Sequence, residues 1–229
     1  MSYLFDFFSL FFPRICLSCG NNLFRHEEVL CTYCLHQLPK TSFSSQEDNP
    51  VFRNFWGRTN ISHATSMYFF AKGGKVQHLL HLLKYKGKKE IGEYIGKIYG
   101  EDLKKSLFYS DIDVIIPVPL HPRRKRKRGY NQSEIFAKGL SESLVKPYDT
   151  RTLIRTYASE TQTKKSRFRR WENVKEIFDL KDHQHLINKH ILLVDDVVTT
   201  GATLEACASM LLKIPGVKVS IATIACAIR

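Results

Sequence analysis

Residues 191–203 read ILLVDDVVTTGAT, and the order of residue types in this stretch decides the fold. Four apolar residues, Ile191 to Val194, precede the paired acids Asp195 and Asp196. A second apolar pair follows, then Thr199, Thr200, Gly201, Ala202 and Thr203. A continuous apolar run bounded by turn residues predicts a strand buried on both faces, as in parallel sheets. In an open parallel sheet, ligands bind outside the carboxyl ends of the strands. The two acids are therefore expected to leave the strand facing that crevice.

The hydroxyls and glycine after the acids open the helical pattern ATLEACASMLL, so backbone N–H groups gather at a helix N-terminus. That is a ready anion site suited to phosphate, and Gly201 lets the backbone approach without a Cβ in the way. Carboxylates accept hydrogen bonds from vicinal hydroxyls and can lie close to a divalent cation. A ribose 5-phosphate satisfies both halves. Two other readings compete: helix-capping acids, and the magnesium-binding acid pair of a receiver domain, for which the 33 residues after Asp196 are too few.

Outward from this strand, whose pattern spans 189–196, apolar runs at 64–71, 111–119, 152–156 and 217–227 predict further strands. Helical spacing recurs from Val76 to Leu83, through Ile91, Ile95, Ile98 and Leu103, from Ser133 to Leu144, and over 202–213. The alternation predicts an α/β fold with a parallel sheet flanked by helices. Cys207 and Cys226 fall in apolar patterns and are expected in its core. Residues 41–62 carry Phe43, Phe52, Phe55 and Trp56 in polar surroundings and read as a connector anchored by aromatics. The division expected is 1–62 and 63–229.

Cys16-x2-Cys19 and Cys31-x2-Cys34, separated by eleven residues, offer four thiolates at the spacing of a tetrahedral zinc site. Gly20 suits the turn of a knuckle, and Leu23 and Leu38 an apolar lid. With all four ligands from cysteine no position stays open for water, so the metal is expected to hold structure; a redox pair is the alternative. His26 and His36 are expected to face solvent. The first thirteen residues, MSYLFDFFSLFFP, are too short to span a bilayer and carry no signal-peptide pattern. They predict an amphipathic helix docking through Leu4, Phe7, Phe8 and Phe11 in a cytoplasmic protein, with access to the inner face of a membrane through partners.

The chain has 229 residues, 43% of them hydrophobic, which excludes a disordered or collagen-like protein. Its 35 Lys and Arg outnumber 22 acids for a net charge of +13, which points to polyanionic partners. The charge is concentrated. Arg123, Arg124, Lys125, Arg126, Lys127 and Arg128 are consecutive and followed by Tyr130, in a segment expected to be a loop because like charges at i, i+4 repel. Lys164, Lys165, Arg167, Arg169 and Arg170 form a second cluster beside Phe168 and Trp171. Cations beside stacking faces suit single-stranded nucleic acid. A solvated loop, or a pyrophosphate site, remains open for either cluster.

ILLVDDVVTTGAT resembles, at every position, the 5-phosphoribosyl 1-pyrophosphate signature of type I phosphoribosyltransferases. Together with the cysteine pairs and the strings LKYKGKKEIG, IIPVPLHPRRKRKRGYNQSE and TQTKKSRFRRWENVKEIF, the chain resembles the ComF family over nearly its whole length. The resemblance implies a type I phosphoribosyltransferase-like domain behind a tetracysteine zinc module, and a link to DNA uptake in natural transformation. It implies that Asp195 and Asp196 contact ribose hydroxyls and that Thr199, Thr200, Gly201, Ala202 and Thr203 wrap the 5-phosphate. Val118, Pro119, Leu120 and His121 take the place of the pyrophosphate loop, and Arg155, Lys164 and Arg167 become candidates to neutralise pyrophosphate, with magnesium bridging it to the ribose. Implied partners are phosphoribosyl pyrophosphate, single-stranded DNA held by Arg123–Arg128, Tyr130, Arg169 and Arg170, and an uptake helicase or membrane component. The alternative activity is a phosphoribosyltransferase with an unknown acceptor that releases pyrophosphate.

Overall fold

The structure, a computed structural model, describes residues 13–156 and 178–227. Strands β1 (Ala64–Phe69), β2 (Val114–Pro117), β5 (His190–Val198) and β6 (Lys218–Cys226) form one sheet in the order β1-β6-β5-β2, with every pairing parallel. Strands β3 (Leu153–Arg155) and β4 (Phe178–Leu180) pair antiparallel beside it. Helices are α1 (Thr32–Gln37), α2 (Pro50–Arg53), α3 (Lys75–Tyr85), α4 (Lys89–Lys104), α5 (Pro122–Arg128), α6 (Gln132–Leu144) and α7 (Ala202–Leu211). This is a type I phosphoribosyltransferase-like α/β fold with a cluster of four cysteines at its N-terminal end.

Ile191, Leu192, Leu193 and Val194 of β5 are all fully buried. Alternation along the strand sends Leu192 and Val194 into the apolar cluster under α3, α4 and α6. Ile191 and Leu193 go to the opposite cluster with Cys207, Ala208 and Leu211 of α7. Covering both faces removes the polar side that an antiparallel strand would show, and each such side chain contributes about 1.5–3 kcal/mol. Cys207 and Cys226 are core residues, as their pattern predicts.

Helices α4 and α6 meet backbone to backbone. A Cβ built on Gly139 would lie 2.1 Å from the Glu93 carbonyl oxygen, and one on Gly96 would lie 2.5 Å from that of Phe136. This approach seats α6 against the sheet with its N-terminus beside Asp195 of β5.

The N-terminal cysteines share their apolar cluster with the main body: Cys16, Leu30, Cys34 and Leu38 join Leu79, Leu80 and Leu83 of α3. The connector covers the outer edge of β1, with Thr41 N–H donating to Met67 O (3.0 Å) and Phe69 N–H to Pro39 O (2.9 Å). Phe43 and Phe55 anchor it as expected, whereas Trp56 is 56% exposed under the Arg53 guanidinium, 5.8 Å from its ring centroid.

The expectation for the first basic run is overturned. The run expected as a loop is the short helix α5, because Pro122 fits the first helical turn, His121 Nδ1 accepts the Arg123 N–H (3.2 Å), and Gly129 closes the C-terminus. Its exposed cations splay apart, four of them in the last turn near the negative end of the helix dipole, and Lys125 reaches Glu134 at 3.4 Å. The expected N-terminal helix and the second basic cluster, Lys164 to Arg170, lie outside the described residues. No helix among the described residues is long and apolar enough to cross a membrane.

Candidate functional site

The acid pair does not leave β5, which runs on to Val198 paired with β6, with Asp195 opposite Thr223 and Val198 opposite Cys226. What ends is β2, whose pairing with β5 stops at Pro117 and Val194. Asp195 and Asp196 therefore stand in a notch beyond the end of β2. Asn131 holds the other wall: its side chain caps α6 by accepting the Ser133 N–H (3.1 Å), and its Nδ2 donates to the Val118 carbonyl (2.9 Å).

The acids take different partners. Ser133 Oγ donates to Asp195 Oδ1 (2.7 Å), which also accepts the Asp196 N–H (2.8 Å). Asp196, 5% exposed, has the Lys84 Nζ 2.6 Å from its Oδ2, an ion contact not directed as a hydrogen bond. Burial, and next the charge of Asp196, push the Asp195 carboxyl up to about 7; Ser133, the Asp196 N–H and Lys84 oppose the shift without cancelling it.

Two hollows meet at this pair. A cup of about 70 Å³ is lined by Thr199, Thr200, Gly201, Ala202 and Thr203. Gly201 adopts φ +77° at the start of α7, and a Cβ there would press on the Phe55 ring at 3.1 Å. Arg58, from the connector, braces the cup by donating to the Thr200 carbonyl (2.9 Å) and pairing with Glu205. The second hollow, about 180 Å³, is lined by Val118, Pro119, Leu120, Ser133 and Arg155 together with Lys84, Arg124 and Arg128. Asp195 and Thr203 border both.

Arg155 is half-buried, its guanidinium 5.2 Å from the Phe178 ring centroid, and its Nε has no hydrogen-bond partner among the described residues. Burial first, then the charge of Arg124, lowers its pKa. His121 sits outside the hollow as the cap of α5, and burial followed by Arg155, Arg123 and Arg124 lowers its pKa. Of the basic helix, Arg124 and Arg128 reach the second hollow. Tyr130 is 7% exposed, its hydroxyl donating to the Leu83 carbonyl and its ring beneath Lys89 Nζ at 4.9 Å. The exposed aromatic beside the hollow is Tyr85, 67% exposed, with the Arg128 guanidinium 5.5 Å and the His81 ring 5.1 Å from its ring centroid. Lys84, Tyr85, Ser133 and Arg58 are the site residues that sequence reasoning missed.

At the N-terminal end, the sulfurs of Cys16, Cys19, Cys31 and Cys34 lie within 4.8 Å of one another, with Cys19 Sγ and Cys31 Sγ 3.8 Å apart. Zn–S bonds of about 2.3 Å in a tetrahedron give an edge of roughly 3.8 Å, so the donor set fits a structural zinc ion. Glu27 ties the knuckles together by accepting N–H groups of Phe24 (2.8 Å) and Thr32 (2.6 Å). The burial of Cys16 would raise its pKa, but N–H groups of Cys31, Cys19 and Ser18 outweigh it and hold the thiol at about 7. Burial, with the neighbouring sulfurs adding to it, pushes Cys31 up to about 12. Four thiolates this close repel unless a cation joins them. His26 and His36 face solvent.

A family model described as Phosphoribosyl transferase domain matches residues 130–228, which include the acid pair and the cup. Among curated relatives, DNA utilization protein YhgH of Escherichia coli O157:H7 is 34% identical over 138 residues, 59% of this chain and 60% of that protein. This chain thus matches only about three fifths of that relative's length. Competence protein F of Haemophilus influenzae is 26% identical over 89% of this chain and 93% of its own length. Competence protein ComFC of Bacillus subtilis is 28% identical over 87% and 78%. Among solved structures, glutamine phosphoribosylpyrophosphate amidotransferase from B. subtilis, complexed with ADP and GMP, is 20% identical over 62% of this chain and 30% of its own, with a TM-score of 0.43. The fold, the transferase-domain match and the relatives spanning most of its length agree: the chain is a homologue of competence proteins F and ComFC that carries a phosphoribosyl transferase domain.

Proposed function

We propose that this protein binds 5-phosphoribosyl 1-pyrophosphate in the notch beyond the end of β2 and acts in DNA uptake by holding single-stranded DNA. The observation that carries the first half is the meeting of an acid pair and an N–H-rich cup at Asp195 and Thr203. The cup would take the 5-phosphate on the backbone and hydroxyls of Thr199–Thr203. The carboxylates would accept the ribose hydroxyls, and Arg155, Arg124 and Lys84 would face the pyrophosphate beside the Val118–Leu120 wall. Magnesium, when bound with the ligand, would supply neutralising charge to the pyrophosphate. The names of the two competence relatives support the DNA-uptake half. The exposed cations of α5 support contact with a polyanion.

The test is calorimetric titration of the full chain with phosphoribosyl pyrophosphate and magnesium. Saturable binding that is lost in Asp195→Asn/Asp196→Asn, with the variant still folded by circular dichroism, supports the reading. Undiminished affinity in that variant overturns it.

A further inference from the structure

The sugar-phosphate hollow and the basic helix share a wall. Lys84, Tyr85, Arg124 and Arg128 line the hollow around the acid pair, and the same four line a groove of about 430 Å³ between α5 and the turn after α3. That volume lies within the range of about 300–1,000 Å³ of ligand sites. Lys127, Gly87 and an edge of Tyr130 complete the groove. Arg128 stands at the boundary, its guanidinium 5.5 Å from the Tyr85 ring centroid and bonded to Gln132, itself a wall of the hollow. Arg124 and Lys127 have no acidic partner among the described residues. Positive charge is thus gathered along one channel that has an exposed aromatic at its lip and a carboxylate pair at its inner end.

We infer that a single-stranded nucleic acid in this groove stacks a base on Tyr85, sets its phosphates on Arg124, Arg128 and Lys127, and thereby competes with phosphoribosyl pyrophosphate. The inference rests on the proposed function above and adds the place of the strand and the sign of the coupling. Two polyanions that neutralise the same cations cannot each gain the full attraction when both are present. The coupling is therefore negative, and by linkage each ligand weakens the other by the same factor. A base on Tyr85 needs no sequence-specific contact, since every base has a stacking face. Arrival of a strand would expel the sugar phosphate, and a high level of sugar phosphate would free the strand.

The test is fluorescence anisotropy of a labelled oligothymidylate with the full chain, in magnesium buffer at matched ionic strength, with and without saturating phosphoribosyl pyrophosphate. The expected result is an apparent Kd raised about fivefold or more, with the same factor lost from the calorimetric affinity for phosphoribosyl pyrophosphate when the oligonucleotide is saturating. Tyr85→Ala should weaken the oligonucleotide about tenfold and Tyr85→Trp should restore it. Arg124→Gln with Arg128→Gln should weaken both ligands and bring the coupling factor towards one. If both ligands bind with no coupling or with positive coupling, or if Tyr85→Ala changes nothing, the inference falls while the sugar-phosphate site stands. If the oligonucleotide alone fails to bind, the inference falls and only the DNA half of the proposed function goes with it. If phosphoribosyl pyrophosphate does not bind, both the inference and the reading beneath it fall.

Discussion

Lys84 Nζ lies 2.6 Å from Asp196 Oδ2, joining the last turn of α3 to the acid pair of β5 beyond the end of β2. Asp196 is 5% exposed, so this ammonium supplies counter-charge that water reaches poorly. Removing one partner of a buried pair strands the other charge. The Lys84 side chain is 24% exposed, which lets solvent screen part of that loss. Lys84→Met should destabilise the ligand-free protein by roughly 1–3 kcal/mol in urea unfolding. A midpoint within error of the parent would show that the pair holds nothing.

Asp195 gives a pH signature. Its carboxyl is pushed up to about 7, first by burial and then by Asp196, against an unfolded value of about 4. Between those values the folded state holds a proton that the unfolded state has released. The stability from this group is therefore full below about pH 4 and is lost as pH rises through about 7. Asp195→Asn cannot ionise, so its stability relative to the parent should climb from pH 4 to pH 8. Urea unfolding of both proteins across that range tests this, and a flat or falling difference would remove the assignment.

The crossing of α4 and α6 predicts a mutation far from the acids that disturbs them. Gly139→Ala would put a methyl group 2.1 Å from the Glu93 carbonyl oxygen, and backbone cannot give way as a side-chain tip can. Overpacking of this kind costs about 1–3 kcal/mol, occasionally more. A melting temperature lower by roughly 2–12 °C is the expected result for a chain of this size. Ser133 stands on the first turn of the displaced helix, so affinity for phosphoribosyl pyrophosphate should fall as well.

What the sequence disclosed and what it hid divide along one physical line. Strand β5, α7, the cup and the four-cysteine cluster were legible because each depends on residues adjacent in the chain. The notch was not, because it exists where β2 stops short of β5, a fact of register. Lys84 and Ser133 converge on the acids from helices 112 and 62 residues away in sequence, and no local pattern marks them as partners. The cationic neighbours of Tyr130 suggest a stacking face, yet its hydroxyl finds the Leu83 carbonyl and the ring goes inward. Helix α5 was hidden by its like charges, although Pro122 and Gly129 were in place to start and stop it.

The four-cysteine cluster should govern more than its own knuckles. Cys16, Cys31 and Cys34 share an apolar cluster with Leu79, Leu80 and Leu83, on the helix whose next residue is Lys84. Metal analysis of the purified chain is expected to give one zinc per protein. Removing it with a chelator should lower the melting temperature, and re-adding zinc should restore it. Fewer than half an equivalent of zinc, with thiols that react freely, would favour the redox alternative.

Salt separates the two kinds of contact proposed for the groove. Each phosphate contact to a single strand contributes about −0.7 to the slope of log K against log salt. Arg124→Gln should therefore flatten the slope by about 0.7 and weaken oligothymidylate and oligocytidylate alike. Tyr85→Ala removes an uncharged face, so affinity should fall by about tenfold while the slope stays that of the parent. Measuring Kd at four or more salt concentrations for each variant resolves the two. Equal flattening in both variants would mean that Tyr85 acts only by placing Arg128, whose guanidinium lies 5.5 Å from its ring centroid. No flattening in Arg124→Gln would mean that the strand's phosphates do not touch that cation.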